Sequence, residues 1–298
     1  MKLDSLMTRL VFLIVALFSG TCGSIEIIDD DGHLIKLENP AERIISLAPS
    51  LTELMFAIGA GDKLKGVIEY SDFPLEAKSL PVIGRFDLLD VEKILELRPD
   101  LVIAWKGGSP KSSVEQLKKL GLTVYIAELN DLTSISIQMD KLSKLAGTAN
   151  EARKSIREFN QTYESLVAEY SHRAAVKTFY QVWNNPLITV GGNELINDII
   201  ELCGGSNVFR NIKQIAPKVS VESVLVADPE VIISSGVTTV RPDWLDNWNH
   251  WPSLTAVSKQ NLFFIPPDLV QRQTPRALVG AKETVSYTHL TLPTNREV

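Results

Sequence analysis

The sequence has little cysteine, little histidine, no basic stretch and a single long apolar run, and each shortage removes a class of function. Two cysteines in 298 residues do not build a disulfide scaffold, and a chain this long buries a sizeable core without one. The four histidines, His33, His172, His250 and His289, lie far apart, and none has metal-ligand spacing. Acidic residues outnumber basic ones by 36 to 30, for a net charge of −6. No Lys/Arg cluster offers the footprint that nucleic acid requires. HExxH, GxSxG, Walker A and GxGxxG patterns are all absent. The chain therefore reads as a non-enzyme with no cofactor, no metal and no nucleic-acid partner. Asp29-Asp30-Asp31 precedes Gly32, but its spacing fails the calcium-loop pattern, so the cluster reads as a turn.

The one apolar run, Leu10 to Phe18, follows Lys2 and Arg9 and precedes Ser19, Gly20, Thr21 and Cys22. It is too short to span a bilayer. A positive start, an apolar centre and a small-residue end read as a secretory signal peptide over residues 1–23. A lipid anchor at Cys22 fits less well, because Ser19-Gly20-Thr21 lacks the usual apolar start. The rest of the chain is expected to work outside the cytoplasm, with Cys203 as its only cysteine.

Past the signal, apolar strands alternate with amphipathic helices. Ile25–Ile28 and Leu34–Leu37 predict a hairpin. RIISL, LVIAW, a strand ending at Ala127, KTFYQV, VIIS and the stretch from Leu262 predict further strands. The fold class is α/β with parallel-rich sheets in two Rossmann-like lobes, over 24–147 and 173–284. Ser50-Leu51-Thr52-Glu53 predicts a capping box, and Thr148-Ala149-Asn150-Glu151 a second. The second opens residues 148–172, where Ala152, Ile156, Phe159, Tyr163, Leu166, Val167 and Tyr170 form one apolar stripe. This stretch reads as one long rigid helix between the lobes. Asp90-Val91-Glu92, a short helix, Pro99 and a strand reappear 130 positions later as Ser220-Val221-Glu222, Pro229 and a strand. The pattern reads as a duplicated unit.

The polar chemistry is sparse, but aromatic residues stand at strand ends and in loops: Tyr70, Phe86, Trp105 and Trp183. In open α/β sheets ligands bind outside the carboxyl ends of strands, where aromatic rings supply flat apolar surface with a polar edge. Trp105 and Trp183 read as equivalent positions of two lobes sharing a cleft, the alternative being that each plugs the end of a core. Trp244, Trp248 and Trp251 read as packing for their own loop.

These residues carry a resemblance. Arg43–Leu54 (RIISLAPSLTEL), Tyr70-Ser71-Asp72-Phe73-Pro74, PDLVIAWKGG ending at Gly108 and LCGGSNVF from Leu202 resemble the substrate-binding proteins of ABC importers that capture iron–siderophores, haem and cobalamin. Within that class they resemble the cobalamin-binding branch, from about Ile25 to Lys282. The resemblance implies a periplasmic protein, monomeric when free, whose interlobe cleft takes cobalamin and delivers it to a permease dimer. It puts ligand contacts at Ser50, Tyr70, Phe86, Trp105, Trp183 and Asp268-Leu269-Val270-Gln271-Arg272, and transporter docking at Glu92 and Glu222. Relatives often carry tryptophan where this chain has Phe86 and Ala216, so a siderophore or haem remains the alternative cargo. The class ends in an amphipathic helix after a proline-arginine pair, here Pro275-Arg276. It implies a cysteine there to pair with Cys203. Residues 285–298 break that pattern and resemble a translated sequencing adaptor, so a non-native tail is expected.

Overall fold

The computed structural model describes residues 24–236 and 238–290. The expected signal peptide and residues 291–298 lie outside them. Strands β1 (Ile25–Ile28) and β2 (Leu34–Leu37) pair antiparallel, Ile25 opposite Leu37. Asp29 makes the turn, its Oδ1 accepting the N–H of Asp31 at 3.0 Å and of His33 at 2.7 Å. Asp30 fastens the hairpin to the first lobe through Lys141 Nζ at 2.6 Å.

The first lobe runs β3 (Ile44–Ser46), α1 (Pro49–Ala57), β4 (Leu64–Val67), α2 (Val91–Glu96), β5 (Leu101–Trp105), α3 (Lys111–Lys119), β6 (Val124–Ala127) and α4 (Leu132–Leu145). A 22-residue helix, α5 (Ala149–Tyr170), leads to the second lobe. That lobe runs β7 (Val176–Gln181), α6 (Leu195–Leu202), β8 (Gly205–Asn207), α7 (Val221–Ala227), β9 (Val231–Ser234), α8 (Thr255–Ser258), β10 (Leu262–Phe264) and α9 (Ala277–Val285). The sheets are ordered β4-β3-β5-β6 and β10-β9-β7-β8, and every pairing within them is parallel. Counted within its own lobe, each sheet reads second, first, third, fourth, so the lobes share one topology. Parallel strands need helical crossovers that cover both faces, and β3 and β6 are accordingly buried throughout.

Ile45, Val102 and Leu117 pack on one face of the first sheet, and Phe179, Ile232 and Trp248 on one face of the second. A third cluster joins the remaining faces of both lobes, including Leu51, Tyr125, Phe159, Leu166, Ile199 and Leu278. Helix α5 crosses this shared core. Its Ala152, Phe159, Leu166 and Tyr170 are buried, and Ile156, Tyr163 and Val167 pack beside them.

Both capping boxes fail. Helix α1 starts from Ala48 with Pro49 in its first turn and has no side-chain cap. Proline's fixed φ favours that position, so the helix begins upstream of the expected Ser50 cap. Thr148 makes no side-chain cap either. Only Ala146 and Gly147 separate α4 from it, and the packed joint buries its hydroxyl without a hydrogen-bond partner among the described residues. The repeat, in contrast, keeps the same N-cap hydrogen bond in both copies. Asp90 Oδ1 accepts the Lys93 N–H at 3.0 Å and Ser220 Oγ that of Ser223 at 3.2 Å. Arg98 and Asp228, which close the two helices, both have left-handed φ, 46° and 44°.

The expected break at Val285 is displaced. Helix α9 reaches Val285 and passes into a π-helical turn, Ser286–Leu290. Tyr287 stacks on Phe263 at 4.5 Å and 6° and donates to the Phe264 carbonyl at 3.0 Å, contacts that hold the turn on the sheet despite its weak helix propensity.

Candidate functional site

All four strands of each lobe point their carboxyl ends the same way, so the loops leaving those ends form one rim per lobe. In the first lobe β3 leads to Ser50, β4 to Tyr70 and β5 to Trp105. Phe86 lies in the Gly84–Leu89 loop, which is tied to the Tyr70 segment by the Glu69 N–H donating to the Gly84 carbonyl at 2.9 Å. Tyr70 is 74% exposed and Phe86 65%, an apolar pair left in water on one rim. Tyr70 has φ 65°, in the left-handed region that non-glycine residues seldom occupy. Next to it Ser71 is buried, with its Oγ 3.2 Å from Thr52 Oγ1 of α1. Ser50 is itself buried in the first turn of α1.

Trp105 lies flat against its own loop. A Cβ at Gly108 would stand 2.3 Å from Trp105 Cε3 and one at Gly107 2.8 Å from Cε2, so only glycine lets the backbone cover the indole this closely. Ser109 Oγ accepts the Trp105 N–H at 3.0 Å. The ring borders a cavity of about 190 Å³ shared with Asp31, Lys106 and Lys111.

Trp183 lies two residues past β7. It is 38% exposed, donates from Nε1 to the Asn185 carbonyl at 3.0 Å and meets Trp244 edge-on at 6.5 Å. Trp244 thus supports Trp183, whereas Trp248 is buried and donates to Gln181 Oε1 at 2.7 Å. The equivalence expected of Trp105 and Trp183 does not hold. The shared topology matches β5 with β9, so Trp105 corresponds to Ser235. Trp183 follows β7, the counterpart of β3. Both stand at carboxyl ends, but of different strands.

After β10, Asp268–Arg272 divides. Val270 is 1% exposed and belongs to the shared core. It is walled in by protein. Leu269 packs against the same core, and Gln271 Nε2 donates to Ser235 Oγ at 2.7 Å. Arg272 is committed to carboxylates rather than free: Glu53 at 2.9 Å, Asp72 at 2.7 Å and Asp268 at 3.3 Å. Burial lowers the pKa of its guanidinium, but Asp72, Glu53 and Asp268 outweigh this and raise it overall. Arg276 joins them, with Nε 2.9 Å from Glu53 Oε2 and Nη2 2.6 Å from Oε1. Its guanidinium lies 4.0 Å from the Phe73 ring centre. Glu53 and Asp72 come from the first lobe and both arginines from the second, so these bonds bring the two rims face to face. The sequence reading assigned Glu53 to a capping box and gave Asp72 and Arg276 no part in the site. The charged residues beside Tyr70 and Pro275 were the available signal.

Glu92 and Glu222 are both exposed at the second position of α2 and α7. Bonds from its own backbone N–H and from the Ser220 hydroxyl lower the pKa of Glu222. Cys203 is a buried free thiol that donates to the Ala281 carbonyl at 3.0 Å, and burial raises its pKa. Among the described residues no cluster of His, Cys, Asp and Glu is fit to hold a metal.

This architecture matches known proteins. The chain is 35% identical over 249 residues to a vitamin B12-binding protein of Vibrio cholerae serotype O1, covering 83% of this chain and 89% of that one. It is 36% identical over 255 residues to the vitamin B12-binding protein of Vibrio parahaemolyticus, covering 85% and 92%. The crystal structure of the periplasmic vitamin B12 binding protein of Vibrio cholerae superposes with a TM-score of 0.77 at 35% identity, covering 85% of this chain and 98% of that one. A periplasmic haem-binding protein of Vibrio cholerae shares the fold, with a TM-score of 0.73 at 22% identity and coverage of 84% and 99%. A family model described as periplasmic binding protein matches residues 44–269. With two α/β lobes, facing strand ends and this match over most of its length, the chain belongs to the periplasmic binding protein family, a family of solute-binding proteins and not of enzymes.

Proposed function

We propose that this protein captures cobalamin between its lobes in the periplasm, reached through the signal peptide 1–23, and delivers it to the permease dimer of an ABC importer. The observation that carries this reading is the similarity, over 83% of the chain, to proteins named for binding vitamin B12. The exposed rings of Tyr70, Phe86 and Trp183 support it. A corrin is a broad disc with apolar faces and neutral amide arms. Aromatic side chains cover such faces, and a few polar groups fix orientation. Ser50, Trp105, Asp268, Leu269, Gln271 and Arg272 complete the contact set. The protein works as a monomer, with no resident cofactor. Haem is the competing cargo, favoured by one feature: the exposed Tyr70 phenol offers an axial oxygen.

The test is a visible absorption spectrum of the purified protein after mixing with cobalamin and gel filtration. Retention of the corrin spectrum in the protein peak is expected. Complete separation at micromolar concentration, with retention of the haem spectrum in a parallel run, would overturn the cobalamin reading in favour of haem.

A further inference from the structure

Glu53 is the most enclosed carboxylate of the cleft region, with its side chain 3% exposed. It faces two guanidiniums from the opposite lobe. Arg276 grips it through two nitrogens and Arg272 through one. A planar guanidinium meeting a carboxylate by two parallel bonds fixes orientation as well as charge. Both arginines then reach the segment that presents Tyr70. Arg272 Nη1 is 2.7 Å from Asp72, and the Arg276 guanidinium covers Phe73. Among the described residues Tyr70 makes no side-chain hydrogen bond, and its ring is exposed. The segment is therefore steadied from below by Thr52 through Ser71 and from across the cleft by the two arginines.

We propose that Glu53 is a positioning residue for ligand capture: through Arg272 and Arg276 it orders the Tyr70–Phe73 segment and sets the separation of the two rims. This rests on the reading of the cleft as the cargo site. Glu53 touches no cargo in this scheme and acts only through the arginines. Removing its charge leaves two guanidiniums facing each other across a largely enclosed space, where like charges repel. Arg272 then follows Asp72 and Asp268 alone, and Arg276 loses its carboxylate. The binding-competent arrangement of the rim becomes one of several, and apparent affinity falls by the fraction of molecules that hold it.

Glu53→Gln, Arg276→Gln and the double variant test this, each measured twice. The first measurement is amide hydrogen exchange of the ligand-free protein. Faster exchange confined to Tyr70–Phe73 and the segment from Asp268 to Arg276 is expected. Exchange raised evenly across the shared core would mark a merely structural role and overturn the proposal, as would unchanged exchange. The second is cobalamin affinity. Each single variant should bind about tenfold more weakly, the size of coupling within one shared network, and the double variant little more weakly than either. Affinity equal to wild type in folded Glu53→Gln overturns the proposal. Should that variant fail to fold, Asp72→Asn on the exposed side of the same network takes its place, with the same expectations in smaller measure. If the wild type leaves cobalamin unbound, the cobalamin reading fails, and the exchange measurement still decides the role of Glu53.

Discussion

Trp105 and Trp183 show how differently two tryptophans serve the two facing rims. Among the described residues the Trp183 indole is held by one hydrogen bond and one edge-on ring, and it is partly exposed. Trp183→Ala should leave the melting temperature nearly unchanged and weaken cobalamin binding by about 1–3 kcal/mol, the scale of burying a large side chain. Trp105 is covered by Gly107 and Gly108 and packs against the shared core, so Trp105→Ala should lower both affinity and melting temperature. Titration of tryptophan fluorescence with cobalamin, paired with thermal melts, checks both. Equal melting losses in the two variants would show that Trp183 is packing and not rim. The exposed aromatic residues were legible in the sequence because each follows a strand in a loop where an apolar ring has no core to enter. The burial of Val270 was not legible, because it depends on α9 folding back over the segment after β10. The contact of Gly280 with Leu269 and Val270 is a fact of packing and not of neighbouring sequence.

At the scale of elements, strands with uninterrupted apolar runs were readable, as was the stripe of α5. The strands β4 and β8 were not. Their sequences, LKGV and GSN, carry glycine and polar residues that become strands only because β3 and β7 offer them partners. Helix α4 was also missed. Its LTSISIQ start is rich in β-branched and hydroxyl residues, poor helix formers in isolation. Asp131 caps it in a reciprocal box with Ser134, and the Asp198 carboxylate from the other lobe accepts the Leu132 N–H at 2.8 Å. The Thr148 box failed for the opposite reason: the motif was present and the joint left it no room. An enclosed hydroxyl without a partner costs about 1–3 kcal/mol. Thr148→Val, nearly the same shape, should therefore raise the melting temperature. A melt lower than wild type would show that the hydroxyl is satisfied.

The whole molecule adds the relation between the lobes. The repeated unit puts Glu92 and Glu222 at matching positions of two lobes with the same topology, each exposed behind a proven cap. Acidic residues favour helix starts for electrostatic reasons alone, and that accounts for either one singly. We propose that the pair docks on the permease, because a two-lobed carrier meeting a two-fold symmetric partner needs one matching group per lobe. Charge pairing at that surface governs encounter and its salt dependence more than cargo affinity. Glu92→Ala with Glu222→Ala should therefore leave cobalamin binding intact and reduce uptake through the reconstituted importer. Transport at the wild-type rate would leave both residues as helix-start acids only.

By itself the sequence determined the class of the protein. Apolar strands alternating with amphipathic helices demand parallel sheets covered on both faces, and a period that persists through α5 demands one continuous helix. The 130-residue repeat makes two lobes of one kind, because local patterns of caps, stripes and stops act between near neighbours. The tertiary structure alone decided which strand ends correspond, that Trp105 matches Ser235 and not Trp183, and that Arg272 is held by carboxylates. It also turned Glu53 from an expected cap into the centre of the interlobe charge cluster. More than 200 residues separate Glu53 from Arg272 and Arg276, and no local rule joins charges so far apart. They meet because two similar lobes, sharing a core along α5, turn their strand ends toward each other.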